Sequence, residues 1–325
     1  LHIALLRGFQ AAAHTYDAFV DRREGAAAVA QGILMALDDI GERLFENGDA
    51  PSPPAVAIDH RGHSTTRNLR TVGMVWTREL IRLRRMPTRI ISGIAQPLLF
   101  LIVLGAGLKN LVGAQSLPGG ISYQVYIFPG ILAMSIITSA LFSAVAIVWD
   151  REFGFLREML VAPVSRTSLV LGKAVGGGTV SVAQGLLLIV FAPFIGVSLN
   201  PLRVLGLVIA LLLLAFALTS LGIVLSSRIN RMESFQMVMS LVMQPMIFLS
   251  GAVFPLTSLP VWLAVLTRLN PATYGVDLCR RVLIPQAPPL TLFGHVVPLW
   301  GDAAIILAFG TITLAMAIKL FANAE

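Results

Sequence analysis

Long uninterrupted apolar runs constrain this chain more than any other feature. An α-helix needs about twenty mostly apolar residues to cross roughly 30 Å of hydrocarbon. Six segments reach that length, at about 90–108, 126–148, 170–196, 202–226, 234–254 and 299–321. The first five contain no acid, and Lys173 and Arg203 lie near their ends. Such exclusion is expected where a central charge costs about 2.5–3.5 kcal/mol on insertion scales. The sixth carries Asp302 and Lys319 near its ends, within reach of the interfaces. Only 13% of residues are charged and 56% are hydrophobic, whereas soluble domains carry about a quarter charged residues. Lipid is therefore the solvent. The expected fold is all-α, a polytopic membrane protein with six transmembrane helices.

Charge and cysteine content exclude several functions. The net charge is +7 and the isoelectric point near 10.3, but the basic residues flank apolar spans. That is a membrane-orientation pattern and not a nucleic-acid groove. One cysteine, Cys279, rules out a disulfide framework or thiolate metal site, and the five histidines have no metal-ligand spacing. No metal or nucleic acid is expected.

Thirteen basic residues fall before span one and after spans two and four, from Arg61 to Arg231; five lie on the other side. The positive-inside rule then places both termini in the cytoplasm of a bacterial inner membrane. Residues 1–60 differ in character, with nine acids against four arginines. Val29, Ile33, Leu37, Ile40 and Leu44 suggest a cytoplasmic helix, followed by the Pro-rich linker 51–54. The functional unit is expected at 61–325. Within it, Leu69, Val72, Trp76, Leu80 and Leu83 recur at helical spacing among arginines. This predicts an amphipathic helix over 67–89 in the membrane interface, its arginines toward lipid phosphates, ended by Pro87.

The connection after span two is unusual. Trp149, Phe153, Leu156 and Leu160 form one helical stripe, with Arg151, Glu152, Arg157 and Glu158 on the other faces. Pro163 stops this helix, and Ser165-Arg166 lead into span three. A connection needs no such helix, so a short, half-charged one suits docking to another protein.

The run from Gly154 to Arg166, followed by Leu171-Gly172-Lys173, resembles the cytoplasmic loop of the ABC-2 type permeases. A second likeness follows span five, in Gly251, Phe254-Pro255-Leu256, Leu259-Pro260, Trp262-Leu263, Leu269-Asn270-Pro271 and Tyr274. It is similar to the family's external segment between the last two spans. The resemblance covers about residues 67–321. It implies that Trp149–Arg166, with Arg228 and Arg231 on the same side, couples the chain to a separate ABC-type ATPase. It further implies two ATPase copies, a second permease, identical or homologous, and a gate built from Phe254, Pro255, Pro260, Trp262, Asn270, Pro271 and Tyr274. Residues 256–269 are too short to span and are punctuated by prolines, which suits two short helices dipping into the outer leaflet.

The chain carries no phosphate-binding loop, because Thr167 stands where a glycine should precede Gly172-Lys173, and Ala174 follows. ATP and Mg are expected on the partner ATPase, with no cofactor here. Gln96, Ser139, Gln184, Gln236 and Gln244 are the candidate cavity residues, although such groups more often join helices. Gly176-Gly177-Gly178 reads as a close-packing site. The expected function is export of a small amphipathic or lipid-like compound. The alternatives are an ion-coupled multidrug transporter, disfavoured because the chain shows none of the buried intramembrane acids such pumps use as relays, and a non-transporting scaffold, disfavoured by the coupling-type loop.

Overall fold

A computed structural model describes residues 65–107, 122–152, 165–197, 200–253, 256, 259–292 and 295–322. The elements are α1 (Thr65–Arg85), α2 (Pro87–Gly107), α3 (Tyr123–Ser143), α4 (Val145–Glu152), α5 (Arg166–Ile189) and α6 (Pro201–Ser226). They continue as α7 (Met232–Leu249), α8 (Val261–Leu269), α9 (Pro271–Leu283) and α10 (Leu299–Ala322). A two-residue antiparallel pair, Thr291–Leu292 with His295–Val296, is the one strand pair among the described residues, and a 3₁₀ turn lies at Ala192–Ile195.

Among the described residues, four helices are long and apolar enough to cross a membrane: Tyr123–Glu152, Pro201–Ser226, Met232–Leu249 and Leu299–Phe321. The pair Asn68–Arg85 and Ile90–Gly105, bent by 70°, raises the count to five if it is one span. The chain is thus multi-pass. The amphipathic helix ends at Arg85, before Pro87 as expected, and the expected first span begins beyond Met86 as α2, with Pro87 at its first position. Proline suits that position, where its missing N–H has no intrahelical partner. Helix α5, 24 residues long, has the length to cross. Its glycines, hydroxyls and lysine dilute its apolarity, so composition alone does not place it in lipid.

Helices α3, α5 and α6 pack on one another, and α10 lies along α6. α3 is the centre: Tyr126, Phe128, Ile131, Leu132, Ile136 and Leu141 are all buried. An apolar sequence on every face of a helix is what burial in the middle of a bundle requires. Small residues let the neighbours close in. A methyl on Gly177 would collide with Ser143 Oγ, and one on Gly222 would lie 2.9 Å from the Leu141 carbonyl. Gly172 and Gly176 face Val75 and Glu79 of α1 in the same way. Asparagine–proline pairs start two helices: Asn200 Oδ1 accepts from Leu202 N, and Asn270 Oδ1 from Ala272 N, with Pro201 and Pro271 following. Both join an N-cap amide to a pre-set first residue.

Helix α1 lies along α5. It buries Thr71 and Glu79 and turns Leu69 and Trp76 outward. Arg78 and Arg82 engage protein carboxylates rather than standing free toward lipid phosphates.

Candidate functional site

Helices α2, α3 and α5 form a cleft of about 610 Å³, within the range typical of small-molecule sites. Phe100, Ile131, Met134, Phe142 and Ile247 give it an apolar wall. Polar groups converge from three helices: Gln96 on α2, Ser135, Thr138 and Ser139 on α3, and Gln184 on α5. Thr138 Oγ1 donates to the Met134 carbonyl at 3.0 Å. The buried Ser135 and Ser139 hydroxyls, one turn apart, have no hydrogen-bond partner. Buried polar groups ordinarily find one, so these two hydroxyls are an exception at the cleft wall. Gly93 permits the approach of α2, since a methyl there would sit 2.7 Å from Gln184 Nε2. Gln96, Ser139 and Gln184 therefore meet. Gln236 and Gln244 do not join them; with Ser240 they lie exposed on α7.

One end of the cleft is built by Arg82, Met86 and Trp149. Beside it runs a charge network spanning α1, α4 and α5. Lys173 Nζ donates to Asp150 Oδ2 at 2.7 Å, and Arg78 Nη2 approaches the same oxygen at 3.3 Å. Glu79 receives Arg78 at 3.9 Å and Arg82 at 3.6 Å. Two acids thus hold three cations.

The next two residues tie α4 to the α6–α7 connection. Arg151 Nη1 donates to the carbonyl of Ser227 at 2.7 Å and of Ile229 at 3.4 Å, and to Asn230 Oδ1 at 3.2 Å. Glu152 Oε2 accepts from Met232 N at 3.1 Å, placing a carboxylate on the positive end of α7. Arg228 and Arg231 are exposed beside this clamp. Arg166 Nη1 donates to the Phe321 carbonyl at 3.2 Å, joining the start of α5 to the end of α10. Phe153, Leu156, Arg157, Glu158, Leu160 and Pro163 lie outside the described residues, as do Phe254 and Pro255.

At the opposite end of the helices, Asn270 does two jobs. It caps α9 and its Nδ2 donates to the Met246 carbonyl at 2.8 Å. Thr273 Oγ1 reaches the Leu249 carbonyl at 3.1 Å, and Tyr274 Oη donates to the Arg268 carbonyl at 2.7 Å. The short helices are thereby fastened to the end of α7. Pro260 precedes α8, and Trp262 on that helix is 66% exposed.

Two arginines in α9 carry more structure than their use as orientation markers suggested. Arg281 pairs with Asp277 at 2.8 Å and with Asp302, and donates to the Val297 carbonyl at 2.8 Å. Asp302 is fully buried at the start of α10 rather than reaching an interface. Burial pushes the Asp277 carboxyl above its ordinary range, with Arg281 the main opposing influence. Arg280 is buried, donates to the Gly251 carbonyl at 2.6 Å and stacks 4.5 Å above the Tyr126 ring. Gly251 has a φ of 71°, where glycine is favoured. Among these groups, Lys173 offered a sequence signal: a lysine in an apolar run needs an acid. Its partner was not legible.

Comparison with known proteins sets this geometry in context. The family model described as ABC-2 type transporter matches residues 70–284, ending before α10. The ycf38 product of Cyanophora paradoxa, whose name describes a transport permease, is 32% identical over 250 residues, 74% of this chain and 80% of its own. Nodulation protein J of Rhizobium leguminosarum bv. trifolii is 34% identical over 227 residues, 68% of this chain and 84% of its own. The inner membrane transport permease YadH of Escherichia coli is 29% identical over 230 residues, 69% and 87% respectively.

Proposed function

The chain belongs to the ABC-2 type transporter family, and from that premise we propose that it is the permease subunit of an ATP-driven exporter whose ATPase is a separate chain. The observation that carries this reading is the position of the cleft. Its wall residue Trp149 is followed directly by Asp150, Arg151 and Glu152, which clamp α4 to neighbouring helices. A force applied to residues 153–164 would therefore reach the cleft through one short, well-anchored helix.

On this reading α2 and α5 also cross the membrane, giving six spans with both termini in the cytoplasm of a bacterial inner membrane. Two ATPase copies, holding ATP and Mg, dock against 149–166 together with Arg228 and Arg231. The apolar wall with a few hydrogen-bonding groups suits a small amphipathic or lipid-like cargo. Gln236, Ser240 and Gln244 support a second permease subunit. They stand at four-residue intervals on the exposed face of an apolar helix, and amides facing lipid gain from a protein partner. The α8–α9 segment acts as the external gate.

The test is co-purification of the ATPase, followed by hydrolysis and export assays in proteoliposomes with candidate amphiphiles. Ser139→Phe should fill the cleft, abolish substrate-stimulated hydrolysis and leave ATPase docking intact. Full stimulation in that variant would remove the cleft from the transport path. Failure to recover any ATPase with the wild-type chain would favour a scaffold.

A further inference from the structure

A second cavity, of about 370 Å³, lies at the α8–α9 end of the molecule, far in sequence from the cleft residues of α2. Tyr126, Arg268, Asp277, Arg280, Leu290 and Thr291 are among its lining. Arg280 decides its chemistry. The side chain is only 6% exposed, yet among the described residues no carboxylate comes within ion-pair distance of it. The nearby acids are already committed: Asp277 and Asp302 both pair with Arg281, and Asp277 also accepts from Leu290 N at 3.3 Å. Arg280 is left with one carbonyl, that of Gly251, and the face of Tyr126. Its Nε hydrogen has no acceptor.

A buried guanidinium whose nearest acid, Asp277, is shared with a second arginine is only partly compensated, and guanidinium presents its donors as a planar fork matched to carboxylate and phosphate. The hydroxyls on the same wall do not compete for an anion. Thr267 Oγ1 donates to the Ala264 carbonyl, and Thr273 Oγ1 is shared between the Leu249 and Thr267 carbonyls. Arg268 adds a second positive charge to the lining. We propose that this cavity is a binding site for an oxyanion group, phosphate or carboxylate, carried on a larger molecule, and that Arg280 is the residue that grips it. The volume exceeds what a bare ion needs and accommodates a headgroup or the polar end of an amphiphile. The site stands independently of the export reading, because it is a property of the chain without any ATPase.

The experiment uses the full chain in phosphatidylcholine nanodiscs, titrated calorimetrically with dodecyl phosphate and, separately, with inorganic phosphate. Wild type should bind dodecyl phosphate saturably. Arg280→Gln should weaken binding at least tenfold, and Arg280→Lys should fall between the two. Because a buried arginine can matter for folding, Thr291→Trp provides a second variant that blocks the cavity from an exposed position while keeping Arg280; it too should weaken binding at least tenfold. The sources separate by competition. Loss of dodecyl phosphate binding in phosphatidylglycerol nanodiscs would support a lipid headgroup as occupant, and comparable binding of inorganic phosphate would support a soluble anion. No saturable binding of either probe, or binding unchanged in both Arg280→Gln and Thr291→Trp, would overturn the assignment and leave a hydrated void.

Discussion

Lys173 Nζ and Asp150 Oδ2 stand 2.7 Å apart, both side chains buried, and join α4 to α5. Arg78 shares Asp150 from a third helix, so the acid has two cations and the lysine one acid.

That asymmetry predicts unequal mutants. Asp150→Asn strands a buried lysine, a change that typically costs about 3–5 kcal/mol. Lys173→Met removes the buried cation but leaves Asp150 with Arg78, so it should cost less. The double variant Asp150→Asn/Lys173→Met should be more stable than Asp150→Asn alone. Thermal unfolding of the solubilised chains measures all three. A double variant whose loss equals the sum of the two single losses would show that the pair is not coupled.

The clamp at Arg151 and Glu152 should transmit ATPase movement. Arg151→Ala loses three contacts to the α6–α7 connection, and Glu152→Gln weakens the carboxylate at the start of α7. Both should insert normally and still bind the ATPase, while export per ATP falls severalfold. Glu158→Arg and Phe153→Asp should behave differently, since an inverted charge or a desolvated aspartate at a docking face costs contact itself. They should lose the ATPase in pull-down. Wild-type recovery of a fully stimulated complex from both would move the docking surface elsewhere.

Asn270 and Trp262 separate fastening from surface contact. Asn270→Ala removes an N-cap, about 1 kcal/mol, and leaves the buried Met246 carbonyl without its donor, about 1–3 kcal/mol. Its expected phenotype is leaky or uncoupled export with normal insertion. Trp262 is largely exposed, so Trp262→Ala should change stability in detergent by no more than about 0.5 kcal/mol. Any effect on transport should then depend on lipid composition. Parallel assays of export and hydrolysis on the same proteoliposomes distinguish the two variants.

Orientation is tested by cysteine labelling in intact cells. Cysteines at Ser116 and Ser258 should react with an impermeant reagent added outside. One at Asn230, exposed beside Arg228 and Arg231, should not. Labelling of Asn230 from outside would reverse the topology.

The division between what was legible in the chain and what was not follows from the range of the forces involved. Hydrocarbon thickness imposes a length on any crossing helix, so the apolar runs read directly as Tyr123–Glu152, Pro201–Ser226, Met232–Leu249 and Leu299–Phe321. Local backbone chemistry made the Asn270–Pro271 helix start readable too, because a cap acts within three residues. The close packing at Gly176 and Gly177 was likewise legible, since a run of three glycines in an apolar helix has few other uses. The partners of charged and polar groups were not. Lys173 finds Asp150 across 23 residues and Arg281 finds Asp302 across 21, and which acid is chosen depends on how the helices cross. Helix rotation likewise sent Gln96 and Gln184 into one cleft and turned Gln236 and Gln244 outward. Sequence alone determined that this is a bundle of apolar helices whose basic residues cluster between particular spans. Tertiary packing decided where its buried charges meet, because ion pairing acts at a few ångströms and is set by the relative placement of helices that no local pattern encodes.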